Sequence, residues 1–144
     1  PFETFIAKLP ECRKQCGDRA VLRAFHIYAD NDRVAKQVAA LREGDFTTFL
    51  DLVGESGQSS WEYLQNVIPA GYKEHQEVAV TIAAAKHFLG GKGAVRVHGG
   101  GFAGTVQAFV PVELLAGFKA NMEAILGEGR CHVLSIRPEG GAVL

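Results

Sequence analysis

Up to residue 89 the apolar residues of this chain recur at helical spacing. From residue 94 they recur at every second position. Val78, Ile82, Ala85 and Leu89 form the last helical stripe, closed by Gly90-Gly91. Val95 and Val97 then alternate with Arg96 and His98. Beyond a glycine cluster, Val106, Ala108 and Val110 alternate with Thr105, Gln107 and Phe109. Periods of 3.6 and 2 are the signatures of helix and strand. The switch therefore excludes an all-helical chain and places two strands on either side of the glycines. Strands joined by so short a loop pair antiparallel, because a parallel crossover needs a much longer connection.

The helical part divides at recognisable stops. Phe2, Phe5, Ile6 and Leu9 predict a helix over residues 3–16, interrupted near Pro10, with Gly17-Asp18 as stop and N-cap. A long helix follows, with Leu22, Phe25, Ala29, Val34, Val38 and Leu41 on one face, Asp30-Asn31-Asp32 on the solvent side and Gly44 at its end. Asp45 caps a third helix carrying Phe46, Phe49, Leu50 and Val53. Residues 54–60, GESGQSS, read as a loop or a frayed helix, residues 61–66 as a helical turn, and Pro69-Ala70-Gly71 as a turn. A fourth helix is expected over about 74–89. Pro111 opens a fifth, with Leu115, Phe118, Met122 and Ile125 on its stripe and Gly127 as its stop. Cys131 to Ile136 reads as a third strand closed by Pro138, and Val143 and Leu144 as a short terminal pairing. The expected fold class is α+β: one domain over residues 1–144, two-layered, with a small mostly antiparallel sheet covered by helices.

With 144 residues the chain can build one full core. Its 15 basic and 16 acidic residues leave a net charge of -1, too balanced for a phosphate-neutralising surface, so no nucleic-acid partner is expected. No apolar run has the length of a membrane span, so no membrane partner is expected either. Three cysteines, Cys12, Cys16 and Cys131, are too few and too odd in number for a disulfide framework, and point to a reducing, cytoplasmic compartment. Cys12 and Cys16 share a helix face, but neither they nor Cys131, His132 and His26 show zinc-ligand spacing, and no metal site is expected. The chain opens on Pro1 rather than Met, as expected for a processed product, a trimmed chain or a piece of a longer polypeptide.

Gly99, Gly101 and Gly104 spell G-x-G-x-x-G. In a dinucleotide-binding unit that spacing runs from strand into helix and needs an acidic residue about 20 positions on. Here a strand pattern follows, and the nearest candidate, Glu123, falls in mid-helix. No Lys-Ser or Lys-Thr makes the stretch a Walker loop, and Lys92 precedes the strand. Two readings remain. One is a plain hairpin; the other is a loop that offers bare backbone N–H groups to an anionic or polyhydroxyl ligand, with Phe102 pinning it to the core.

Val95 to Gly104, VRVHGGGFAG, resembles the late glycine motif of the GHMP sugar kinases, close to G-A-R-M-T-G-G-G-F-G-G in galactokinases. Arg96, Gly99, Gly100, Gly101, Phe102 and Gly104 coincide with it, while His98 stands for Thr and Ala103 for Gly. Arg23-Ala24-Phe25-His26 with Asp30-Asn31-Asp32-Arg33-Val34 resembles the galactokinase helix R-A-x-H…E-N-x-R-V. Leu41 to Phe46 resembles its A-L-x-x-G-D boundary. Residues 54–59 lie where the family has N-x-S-H-x-S, and only the two serines match. The resemblance spans residues 19–136.

It implies the ferredoxin-like C-terminal domain of a galactokinase, which moves the γ-phosphoryl of ATP to galactose with Mg²⁺. It implies an N-terminal domain of the same polypeptide as partner, carrying the catalytic Asp, the sugar-binding residues and the main phosphate loop, P-x-G-x-G-L-x-S-S-A. None of those motifs occurs in this chain, so no catalytic residue is expected here and the chain alone should neither turn over nor bind ATP or galactose tightly. Its implied contribution is the loop of Gly99, Gly100, Gly101, Phe102, Ala103 and Gly104, with His98 and Arg96 as auxiliary candidates. His98 then either faces substrate or is structural, and Arg96 either lines the site or pairs with a carboxylate. His26 is expected in the core, and Trp61 and Tyr63 either line a sugar edge or pack. The other function class is a non-catalytic sugar- or nucleotide-sensing relative with the same fold.

Overall fold

The computed structural model describes residues 2–102 and 104–139. The first helical stretch is two helices, α1 (Phe2–Ala7) and α2 (Leu9–Cys16). Pro10 lies in the first turn of α2, where its missing N–H leaves no helical bond unmade. Gly17, at φ 79°, turns the chain into α3 (Asp18–Glu43). Asp18 does not cap this helix with its side chain. Its carboxylate instead takes Arg13 Nε at 2.6 Å across the turn.

Helix α3 runs unbroken to Gly44, as its pattern predicts, but its stripe is not buried along its length. Leu22, Phe25 and Ala29 are half-buried, whereas Val34, Val38 and Leu41 face solvent together with Ile27. The buried residues are Val21, His26 and Ala40. Asp45 then caps α4 (Phe46–Ser59), its carboxylate accepting the Thr48 N–H at 3.0 Å.

Residues 54–59 are not a loop: α4 continues through Gly54 and Gly57 and passes directly into a π-helical turn, Ser60–Leu64. The reason is packing. A Cβ on Gly57 would stand 2.9 Å from Arg96 Cβ and 3.0 Å from the Val95 carbonyl oxygen. The glycine that weakens the helix by propensity is what lets its backbone lie against a strand.

Helix α5 (Glu77–Leu89), the strands β1 (Ala94–His98) and β2 (Thr105–Phe109), and α6 (Leu115–Leu126, entered through a 3₁₀ turn at Val112–Leu114) complete the order. The strands form an antiparallel hairpin with Ala94 opposite Phe109 and His98 opposite Thr105. Ile82, Ala85 and Leu89 of α5, Val95 and Val97 of β1, and Phe118 and Met122 of α6 make the core. Each fully buried aliphatic side chain there contributes on the order of 1.5–3 kcal/mol. The α+β class holds: a small antiparallel sheet, covered by helices. The expected third strand does not form. Cys131 to Ile136 joins no ladder, and Leu134 and Ile136 are 86% and 88% exposed. Its alternation is a local property, whereas a strand needs a partner, and none is present among the described residues. Val143 and Leu144 lie outside the described residues.

Candidate functional site

The glycine loop leaves β1 at His98, which is exposed, and re-enters the sheet at Thr105. Gly99 and Gly101 have φ of 68° and 81°, and Phe102, a non-glycine residue, has φ of 62°. Phe102 is 37% exposed. Its backbone is anchored: the Phe102 N–H donates to the Asn66 carbonyl at 2.5 Å, and Asn66 Nδ2 donates to the Gly100 carbonyl at 3.4 Å. Gly101 presses on the same residue. A Cβ there would collide with the Asn66 carbonyl oxygen and stand 2.8 Å from its Cγ. The close backbone approach that this glycine permits is therefore to Asn66 of the chain itself.

Gly99 and Gly100 differ: a Cβ on either meets nothing within 4 Å. The Gly104 N–H donates to the Gly101 carbonyl at 3.1 Å. The N–H groups of Gly99, Gly100 and Gly101 find no acceptor among the described residues. Ala103 lies outside the described residues.

Arg96 lines the cleft that holds Trp61 and joins a polar network. Its Nη1 donates to Ser56 Oγ at 2.7 Å, the Ser56 hydroxyl donates to Asp30 Oδ1 at 2.6 Å, and Arg33 Nη1 donates to the same oxygen at 2.8 Å. Arg96 thus reaches a carboxylate through a serine. His26, 3% exposed, lies in the core as expected, with Nδ1 2.9 Å from Ser59 Oγ and Nε2 3.7 Å from Asp30 Oδ2. Burial pushes the His26 pKa below its ordinary value; Asp30 opposes this, and Arg33 and Arg96 add to it. The shift favours the neutral ring, in which one nitrogen is an acceptor. Arg23 Nε donates to the Leu64 carbonyl at the end of the π-turn, at 3.3 Å. The structure gathers residues from three separate sequence matches, on α3, α4 and β1, into one brace.

Trp61 and Tyr63 are 38% and 40% exposed, on different clefts. Trp61 lines one of about 330 Å³ with Gln58, Glu62, Ile82 and Lys86. Tyr63 lines one of about 360 Å³ with Phe2, Leu22, Phe25 and Tyr28. The glycine loop lines neither. Among the described residues no three His, Cys, Asp or Glu side chains converge as a metal would require, and no helix is long and apolar enough to cross a membrane. Asn66, the residue that holds the loop, gave no signal in the sequence. An asparagine before Val67-Ile68 has the look of an ordinary turn, and only the fold brings it beside glycines 34 positions on.

The geometry defines a class: an α+β domain that presents an open glycine hairpin, with free main-chain donors, beside a braced helix pair. Comparison with known proteins narrows it. No family model matches the chain. Over 94 residues it is 33% identical to a galactokinase of Mannheimia succiniciproducens, a match covering 65% of this chain and 23% of that protein. The chain is thus related to a galactokinase, and the match spans less than a quarter of that relative's length.

Proposed function

We propose that the polypeptide carrying this chain is a galactokinase, transferring the γ-phosphoryl of ATP to the C1 hydroxyl of galactose and releasing ADP. This chain forms one wall of the site. The observation that carries the reading is the loop's donor set, taken with the similarity to a galactokinase. The amides of Phe102 and Gly104 are spent inside the chain, whereas those of Gly99, Gly100 and Gly101 find no acceptor among the described residues. Gly99 and Gly100 also have room in front of them. Free N–H groups on consecutive residues suit phosphate oxygens, and donors held in place before reaction are how phosphoryl transfer is stabilised. Mg²⁺ would supply charge neutralisation at the phosphates, but the described residues offer no cluster of ligands for it, and we assign it no metal-binding residue. The N-terminal domain supplies the remaining groups.

The test is ADP release by the full polypeptide with galactose, ATP and Mg²⁺. Turnover is expected, and a folded protein that forms no ADP with any sugar would favour the sensing relative. Gly100→Val sharpens the assay. Its Cβ meets no atom of the chain, so the fold should persist while turnover drops at least tenfold. Unchanged turnover would make the loop a plain hairpin. Calorimetric titration of ATP into the 144-residue chain alone should show no tight binding.

A further inference from the structure

We infer that Asn66 is a positioning residue of the glycine loop, and that the π-turn before it delivers it there. Its catalytic consequence rests on the kinase reading; its structural consequence does not.

The register comes first. At the end of the π-turn the Gln65 N–H donates to the Ser60 carbonyl at 2.8 Å, and Gln65 takes φ 56°, a conformation rare outside glycine. Continued as an α-helix, the segment would carry residue 66 on round the helix axis at about 100° per residue. The wide turn ends the helix instead. Arg23 holds the Leu64 carbonyl left at its exit, and Asn66 is delivered, 4% exposed, against the loop.

The side chain of Asn66 then sets one peptide plane. Its Nδ2 donates to the Gly100 carbonyl. In a planar trans peptide the C=O and the following N–H point in opposite directions. Holding the Gly100 carbonyl toward Asn66 therefore turns the Gly101 N–H away from it, outward. Between two glycines this plane has little else to stop it rotating, since neither flanking residue has a Cβ to restrict it. The Asn66 carbonyl meanwhile takes the Phe102 N–H and keeps that donor inward. One residue thus sets two of the loop amides, Gly101 outward and Phe102 inward.

The unmet half of the amide points the same way. Asn66 Oδ1 is buried without a partner, a state that costs stability rather than adding it. An amide at this place is explained by what its donor end holds.

The test is made on the full polypeptide with selectively labelled glycine amides, read by hydrogen exchange, and with steady-state kinetics. Asn66→Asp keeps the shape and reverses the polarity: the carboxylate repels the Gly100 carbonyl and draws in the Gly101 N–H. The Gly101 amide should exchange freely in the wild type and become at least tenfold more protected in Asn66→Asp. kcat should fall 10- to 100-fold, in line with losing one transition-state donor, with KM for the sugar within threefold. Asn66→Leu removes the donor without adding charge and also removes the unpartnered acceptor, so it should fold if the aspartate does not. It should lower kcat in the same direction, with Gly101 exchange intermediate. Wild-type exchange and wild-type kcat in both variants would overturn the inference, as would a Gly101 amide already protected in the wild type. If exchange shifts as stated but neither protein transfers phosphate, the positioning role stands and the kinase reading falls.

Discussion

Ser56→Ala is the sharpest probe of the brace. Ser56 is 1% exposed, and its hydroxyl accepts from Arg96 Nη1 at 2.7 Å while donating to Asp30 Oδ1 at 2.6 Å. Both partners are ionic groups, and hydrogen bonds to charged groups contribute about 1.5–3 kcal/mol each. Removing one oxygen breaks two of them, for a gross loss of about 3–6 kcal/mol. Two corrections reduce it. Alanine is the better helix former by a few tenths of a kcal/mol. Asp30 keeps Arg33 and, at 23% side-chain exposure, some access to water. The expected net is about 2–4 kcal/mol, with no cavity term because the side chains are nearly equal in size. Urea unfolding of the 144-residue chain can be followed by the fluorescence of its single tryptophan, Trp61, in the π-turn directly after α4. With m of about 2 kcal/mol/M, the midpoint should fall by about 1–2 M at unchanged m. Ser59→Ala, which loses a bond to the neutral His26 ring, should cost only about 1 kcal/mol. Equal effects of the two, or a Ser56→Ala loss below about 0.5 kcal/mol, would refute the claim that charge makes this network strong.

Two further outcomes follow from the ionisation of buried groups. His26 has a folded-state pKa below its unfolded value of about 6.5, so between the two the unfolded chain binds the extra proton. Its contribution is complete above pH 6.5 and is lost as the pH falls toward the folded value; the urea midpoint should decline from pH 7 to 5, and His26→Gln should flatten that slope. Burial, helped by Glu123 and opposed by Lys119, pushes the Cys131 thiol up, while Cys16 is exposed. Iodoacetamide at pH 8 should therefore label Cys16 before Cys131 in a mass-spectrometric time course, and the reverse order would contradict the placement of Cys131.

What was legible in the sequence was what is local. The stripe of Val78, Ile82, Ala85 and Leu89 is buried as read, Asp45 caps as read, and the period change at residue 94 marks the hairpin. What failed was decided at a distance. Gly54, Gly57, Ser59 and Ser60 carry loop propensities, yet the segment is helical because Gly57 is where β1 docks. Val34, Val38 and Leu41 repeat like a core face, yet the described residues place nothing over them. Cys131 to Ile136 alternates like a strand, and alternation cannot supply the ladder. At the candidate site, the glycines were visible and their holder was not, because Asn66 acquires its meaning from residues on the far side of α5.

The brace and the loop are best understood as two ends of one element. Helix α4 sends Ser56 and Gly57 onto β1, and the π-turn that extends it sends Asn66 onto the loop that β1 leads into. The strand is held at Arg96, two residues before the loop departs at His98, and the loop is held again at Gly100 and Phe102. Both holds come from one stretch of chain, residues 56–66. A shift of α4 along β1 would therefore carry the clamp and the strand together rather than shear the loop between them. His26, Asp30 and Arg33, though their hydrogen bonds stop short of the glycines, belong to the same series of holds. They fix α3 to α4, α4 leads into the clamp, and the clamp holds the loop at Gly100 and Phe102.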